Sequence, residues 1–467
     1  MNKVHRVVWN KATESWGAAP ETAKCAGAKG ASTTSGAKRS VPSQLRKLPL
    51  ILAAAFAPTL AFAQIELQGD TSPNGSTVKQ PEWVVNGGLL IGNAGTGSMS
   101  ITEGGSVEVN GRLIIGNQKG SNGTVVVEGK DSSLLVNDNV FVGSAGSGRL
   151  EIKDGASVSN RGDGHANIAS VLIGNLGGEG EGEVLITGKN SSWITDSTLS
   201  LGDGGRLTVE KGGQMKSTSV DIGNQYGNSS QISVTGQGSS LIATNALHVG
   251  HGGKGQLDVL DGGTVTSAGG HIATAVRGSG TANIDGAGSR WNAGTLLYIS
   301  SEGVLNLTNG GTAQAERSVV EKNGTMRIGG ADSVIDAGTL DTKRLLLDGV
   351  LDFNHTATGY DFAADFAHSS GKILQRAGVT HLTGNGEAFI GQTQVSGGTL
   401  IVDQALGNAL STTEVGANGT LAGTGVIGGA VTNAGTVSAL NALSGHSSAA
   451  AGTFTLAGGL TNSGTVN

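Results

Sequence analysis

One short phrase, apolar–any–apolar–Gly, recurs through the middle of the chain and limits what it can fold into. It reads Leu89-Ile91-Gly92, Leu113-Ile115-Gly116, Val140-Val142-Gly143, Val171-Ile173-Gly174, Leu199-Leu201-Gly202, Val220-Ile222-Gly223 and Leu247-Val249-Gly250. Glycines at 92, 116, 143, 174, 202, 223 and 250 give steps of 24, 27, 31, 28, 21 and 27 residues. Self-similarity on this scale is the mark of a stacked array, not of one globular core. Between the phrases lies a second alternating pair before a Gly-rich turn, as in Leu150/Ile152 before Asp154-Gly155 and Leu207/Val209 before Gly212-Gly213. Two flavours of this turn alternate. The second carries Ser-Ser, or Ser-Arg in the last copy, and places an apolar residue five after a glycine: Gly129 and Leu134, Gly188 and Trp193, Gly236 and Leu241, Gly286 and Trp291.

Period-2 alternation is the strand signal, because successive strand side chains point to opposite faces. The segments are four or five residues long, and no stretch of the repeats keeps helical spacing. Each unit resembles the one a period or two away, so like strands lie on like strands. That predicts an all-β chain, a right-handed parallel β-helix of the pectin-lyase-like solenoid type. A coil of about 20–27 residues cannot bury its own apolar face, and stacking at about 4.8 Å closes the core. Glycine serves the corners, where positive φ and close backbone approach are needed. This accounts for 81 glycines and for only 3% aromatic residues.

The start of the chain reads differently. Arg46-Lys47 precede an apolar run, Leu48 to Ala61, and Ala61-Phe62-Ala63 is a small-x-small cleavage pattern. Residues 1–63 are therefore expected to be removed between Ala63 and Gln64. Nine of the 30 basic and two of the 36 acidic residues lie before Gln64, which leaves 21 against 34, a net −13. Such a surface argues against a nucleic-acid partner. The only cysteine, Cys25, leaves with the signal, so the exported part makes no disulfide.

Ahead of that signal stand Met1-Asn2-Lys3, Arg6-Val7-Val8-Trp9-Asn10 and Trp16 before Glu21 and Lys24. This stretch resembles the extended signal peptide region of Gram-negative type V secretion proteins, which implies slowed export through the inner membrane. The units of 87–335 resemble the T5SS/PEP-CTERM-associated repeats of autotransporter passengers. Ile373, Gly378, Leu382-Thr383-Gly384, Gly391-x-Thr393 and Ser396-Gly397-Gly398-Thr399-Leu400 resemble the autotransporter-associated strand repeat. The resemblance implies an AIDA-like adhesin passenger. Expected divisions are 1–24 (extended signal), 25–63 (spacer and signal peptide), 64–86 (an irregular entry or cap, with Trp83 over the first coil), 87–335 (repeats), 336–370 (an irregular continuation) and 371–467 (strand-repeat region). No tract of alternating ten-residue strands follows, so the expectation is a passenger truncated before any barrel.

Parallel β-helices also house enzymes, which need carboxylates and a base clustered on adjacent coils. Outward positions hold Glu151, Lys153, Thr208, Glu210, Ser233, Asp258 and Asn283, with no repeated acidic row. No G-x-S-x-G occurs. The chain is accordingly read as no enzyme, with no catalytic residues and no cofactor. His248 and His271 each precede the second apolar residue of their unit, which predicts equivalent outward positions one coil apart, with His251 near. No carboxylate or cysteine completes a metal-ligand set in the sequence, so no metal is expected. Gly252-Gly253-Lys254-Gly255 opens like a calcium-binding nonapeptide, but Leu257 stands where an acid is required. Asn160 to Ser170 interrupts one unit and reads as a loop, and within it Arg161-Gly162-Asp163 spells an integrin-type tripeptide, a possible receptor loop.

The reading is a surface-exposed or secreted passenger acting as adhesin or structural stalk. Its expected partners are the Sec translocon and outer-membrane assembly machinery during export, then a host-cell surface or copies of itself. A two-partner-secreted haemagglutinin-like exoprotein and a β-helical polysaccharide-active enzyme are the alternatives. A trimeric adhesin would need heptads, and none occur.

Overall fold

The structure is a computed structural model and describes residues 5–10, 15–20, 63–161, 171–175, 179–274, 277–439 and 453–467. In the N-terminal unit, His5–Asn10 pairs antiparallel with Ser15–Pro20. The second unit, Leu60–Asn467, is a parallel β-solenoid.

Three short strands make each coil of the repeats. In the first coil they are Thr96–Thr102, Ser106–Val109 and Leu113–Ile115. Each pairs in parallel with its counterpart one coil on: Asn122–Glu128, Ser133–Val136 and Val140–Val142. The first face continues as a column of paired strands to Leu460–Asn462. The second and third faces run to Thr339–Asp341 and Asp365–Phe366. The recurring phrase is the third face. Its two apolar residues point inward, as do Met99 and Ile101 on the first face and Val107 and Val109 on the second, all of them buried. Like sits on like along the axis, so one apolar spine runs through the coils. Full burial of each such side chain stabilises by about 1.5–3 kcal/mol.

The phrase glycine turns the corner after the third face. Gly116 has φ +74, and a Cβ there would lie 2.3 Å from the Ser147 carbonyl oxygen. Only glycine fits such an approach. Gly92, Gly143, Gly174, Gly223 and Gly250 also have positive φ, whereas at Gly202 the turn passes to Gly204, φ +64.

The two turn flavours alternate because they bond to each other. The serine three residues after the glycine of each second-flavour turn is buried and accepts the backbone N–H of a turn glycine in the coil before it. Gly104 donates to Ser132 Oγ, Gly155 to Ser191, Gly212 to Ser239 and Gly262 to Ser289, each at 3.0 Å. A plain turn leaves one N–H inside, and the serine turn above it supplies the acceptor. The structural unit is thus a pair of coils. Trp193 and Trp291 occupy inward second-face positions and are fully buried, and Trp291 Nε1 donates to Ser267 Oγ at 3.1 Å.

Two segments differ from the expectation. Residues 64–86 are not irregular. Gln64–Gly69 lies antiparallel on Thr96–Thr102, and Thr71–Ser72 lies antiparallel on Leu89–Ile91. Glu82–Val85 is already the first second-face strand, with Trp83 in register with Val107 and buried. The apolar end of the stack needs cover, and the alternating Ile65 and Leu67 supply it. The free edge of the cap strand is closed by a side chain: Ile65 N–H donates to Gln80 Oε1 at 2.8 Å, and Gln80 Nε2 donates to the Ile65 carbonyl at 2.5 Å. Nor does Asn160 belong to a loop. It ends the strand Ser157–Asn160, is buried, and accepts from Trp193 Nε1 at 3.2 Å.

From Val350 to Ala430 the coils shorten. Val350, Lys372, Gln392, Thr412 and Ala430 are in register, with steps of 22, 20, 20 and 18 residues. Phenylalanine rings line this part: Phe353 to Phe362 at 5.4 Å, Phe362 to Phe366 at 5.9 Å, Phe366 to Phe389 at 5.8 Å.

Candidate functional site

The outward side chain at the centre of each third-face strand forms a row along the axis. Register aligns Leu90, Ile114, Phe141, Leu172, Ser200, Asp221, His248, His271, Tyr298 and Val319. Four apolar rungs give way to five polar ones, three of which carry a carboxylate or an imidazole. His248 and His271 do sit one rung apart, with ring centroids at 5.1 Å. His251, three residues past His248 and beyond the corner glycine, folds back so that its ring lies edge-on to His248 at 4.8 Å.

Sequence reasoning missed Asp221, one rung below His248. His248 Nδ1 lies 2.7 Å and His251 Nδ1 3.3 Å from Asp221 Oδ1. The expectation that no carboxylate completes the set is therefore corrected. Among the described residues, Asp221, His248 and His251 form the group of His, Cys, Asp and Glu whose donor atoms, all within 4.8 Å of one another, could share an ion. Burial pushes the Asp221 carboxyl up, but the hydrogen bond from His248 and the charge of the two imidazoles outweigh it and bring it down to about 2. The same carboxylate raises His251 against the effect of burial. His271 is lowered, by burial first and then by the two neighbouring imidazoles. Above it, Tyr298 is raised to about 12 by burial and by its hydrogen bond to Glu321.

The first face carries a polar row of its own. Asn283 Nδ2 donates to Asp258 at 2.7 Å, Asn306 Nδ2 to Asn283 at 2.8 Å, and Arg327 to Asn306 at 3.3 Å. Arg376 then grips Asp352 with two bonds of 2.8 and 2.6 Å. Two acids, two amides and two guanidinium groups thus bond to one another as a ladder. Gln64 opens the cap strand, directly after Ala63. Arg161 is exposed just past the strand that ends at Asn160, while Gly162 and Asp163 lie outside the described residues.

Fold and site define a β-solenoid with ladders of outward side chains. Comparison with known proteins adds how it travels. Residues 1–50 match the model of the Extended Signal Peptide of Type V secretion system, which reaches past residue 24 into the spacer. The Adhesin BmaC autotransporter of Brucella suis biovar 1 (strain 1330) is 27% identical over 324 residues, 54% of this chain and 9% of that protein. An uncharacterized lipoprotein of Escherichia coli (strain K12), YdeK, is 28% identical over 346 residues, 67% of this chain and 25% of its own. A crystal structure of a TibC-catalyzed hyper-glycosylated TibA fragment matches with a TM-score of 0.40 and 15% identity, over 82% of this chain and 100% of that one. The chain spans a quarter or less of the length of these curated relatives. Its export signal is that of type V secretion, and the solenoid behind it is homologous to part of an autotransporter adhesin. The chain is directed to the cell surface or outer membrane of a Gram-negative cell.

Proposed function

We propose that the solenoid is the passenger of an autotransporter-type adhesin, a stalk that presents repetitive polar faces to a host-cell surface or to copies of itself. The observation that carries this reading is the run of parallel coils behind a type V export signal, with outward rows of Ser, Asn, His and Asp. Such rows offer many equivalent weak contacts, which suits binding by repetition. They do not assemble a nucleophile, a base and an oxyanion site around one reacting atom, so the role is binding and not catalysis. Export would run through the Sec translocon and the outer-membrane assembly machinery, with cleavage between Ala63 and Gln64 leaving the cap strand whole.

The test is display of the full gene product on a non-adherent bacterial host. Expected outcomes are cell aggregation or binding to epithelial cells above the empty-vector level. Surface display with neither would overturn the reading. Within it, Arg161-Gly162-Asp163 is a candidate receptor loop, and Asp163→Glu is expected to abolish integrin-dependent binding while leaving aggregation intact. Unchanged host-cell binding by that variant removes the loop from the proposal.

A further inference from the structure

We infer that Asp221, His248 and His251 form a surface site for a divalent transition-metal ion of the zinc class. The inference stands apart from the adhesin reading, since it rests on local geometry alone. Two imidazole nitrogens and one carboxylate oxygen are a donor set that borderline ions such as Zn²⁺ prefer, whereas calcium and magnesium take oxygen donors. Around a tetrahedral ion with bonds of about 2.0–2.1 Å, donor atoms stand roughly 3.3 Å apart. The edge from His251 Nδ1 to Asp221 Oδ1 already measures 3.3 Å. The edge from His248 Nδ1 to the same oxygen, 2.7 Å, opens by about 0.6 Å, a small side-chain rotation.

A second observation points the same way. His251 Nδ1 is enclosed by protein and makes no hydrogen bond of acceptable geometry, although it faces the carboxylate. A buried ring nitrogen aimed into a cluster of donors is what an ion would satisfy. The scaffold is also fixed before any ion arrives. Asp221 and His248 sit on hydrogen-bonded strands in register. Past the corner, His251 N–H donates to the Ile222 carbonyl at 3.1 Å, and Gly252 and Gly253 N–H both donate to the Gly223 carbonyl. The site is open to solvent on the His251 side, where that side chain is 42% exposed, so water can complete the coordination. His271 packs against His248 from the next rung and buttresses its ring without belonging to the donor set.

The experiment titrates ZnSO₄ into the full exported chain by calorimetry in a non-chelating buffer. The expected result is saturable binding of one ion per chain. Asp221→Asn and His251→Gln should each weaken it by more than the about 10–100-fold that changes behind a ligand cost, and His271→Gln should retain it. Absence of saturable binding, or binding that both ligand variants preserve, overturns the site. His251 lies at an exposed corner, so His251→Gln carries the test alone if Asp221→Asn fails to fold.

Discussion

The repeats up to Gly329 and the region beyond Val350 stack by the same rule with different materials. In the first, phrase glycines step by 21 to 31 residues and the buried spine is almost wholly aliphatic. In the second, the coils from Val350 to Ala430 step by 18 to 22 residues and close around four phenylalanine rings. Buried polar groups differ as well. The repeats bury serines, and four of them, Ser132, Ser191, Ser239 and Ser289, each accept a turn N–H. The later coils bury Asp352, His355, Gln375 and Thr380. A solenoid requires an inward pair in register on each rung. How it turns its corners is free to change.

The largest separation of the two regions should come from the rings. Phe362→Ala removes a fully buried ring between Phe353 and Phe366 and is expected to cost about 3–5 kcal/mol. Solenoid stability is a sum over neighbouring coils, so hydrogen exchange should quicken around Phe353 to Leu382 and stay slow at Val125 and Val127. Equal loss of protection along the whole chain would break the comparison.

Acid should produce the next largest difference. His355 is fully buried, bonds Thr380 Oγ1 at 2.9 Å through Nε2, and is lowered by burial to about 4. Its folded pKa lies below the unfolded value, so the contribution is whole above about 6.5 and is lost as pH falls toward 4. That loss amounts to at most about 3 kcal/mol. Urea unfolding monitored in the later coils should show it, and His355→Phe should flatten the profile between those pH values. A profile equally steep in the variant assigns the effect to other groups.

The smallest of the three effects belongs to the repeats. Ser239→Ala leaves the Gly212 N–H without its acceptor and should cost about 1–3 kcal/mol. Ser240→Ala, at the neighbouring half-exposed position, should stay within about 0.5 kcal/mol. Equal effects in urea denaturation would show that the paired-coil bond is not what sets the alternation of turns.

Much of the fold was legible because period 2 and the recurring glycine are both backbone requirements. The parallel stacking, the inward phrase residues and the buried Trp193 and Trp291 follow from them. The cap over 64–86 was not legible, since Pro73, Gly75 and Pro81 mask two short antiparallel strands whose partners lie some 20 to 40 residues on. Asn160 misled for a different reason: a polar residue can face inward when an indole N–H is there to meet it. At the site, His248 and His271 were readable from their matching places in the phrase. Asp221 occupies the same place in Val220-Asp221-Ile222, so the register that aligned the histidines also contained the carboxylate. The position of His251 was not recoverable, because spacing does not say that a chain bends back past a corner glycine.

The cap has one more consequence. Its strand runs opposite to the coils beneath, and the Gln80 amide occupies the backbone donor and acceptor of Ile65 on the outer margin. That pole of the molecule is thereby blunted against end-on polymerisation.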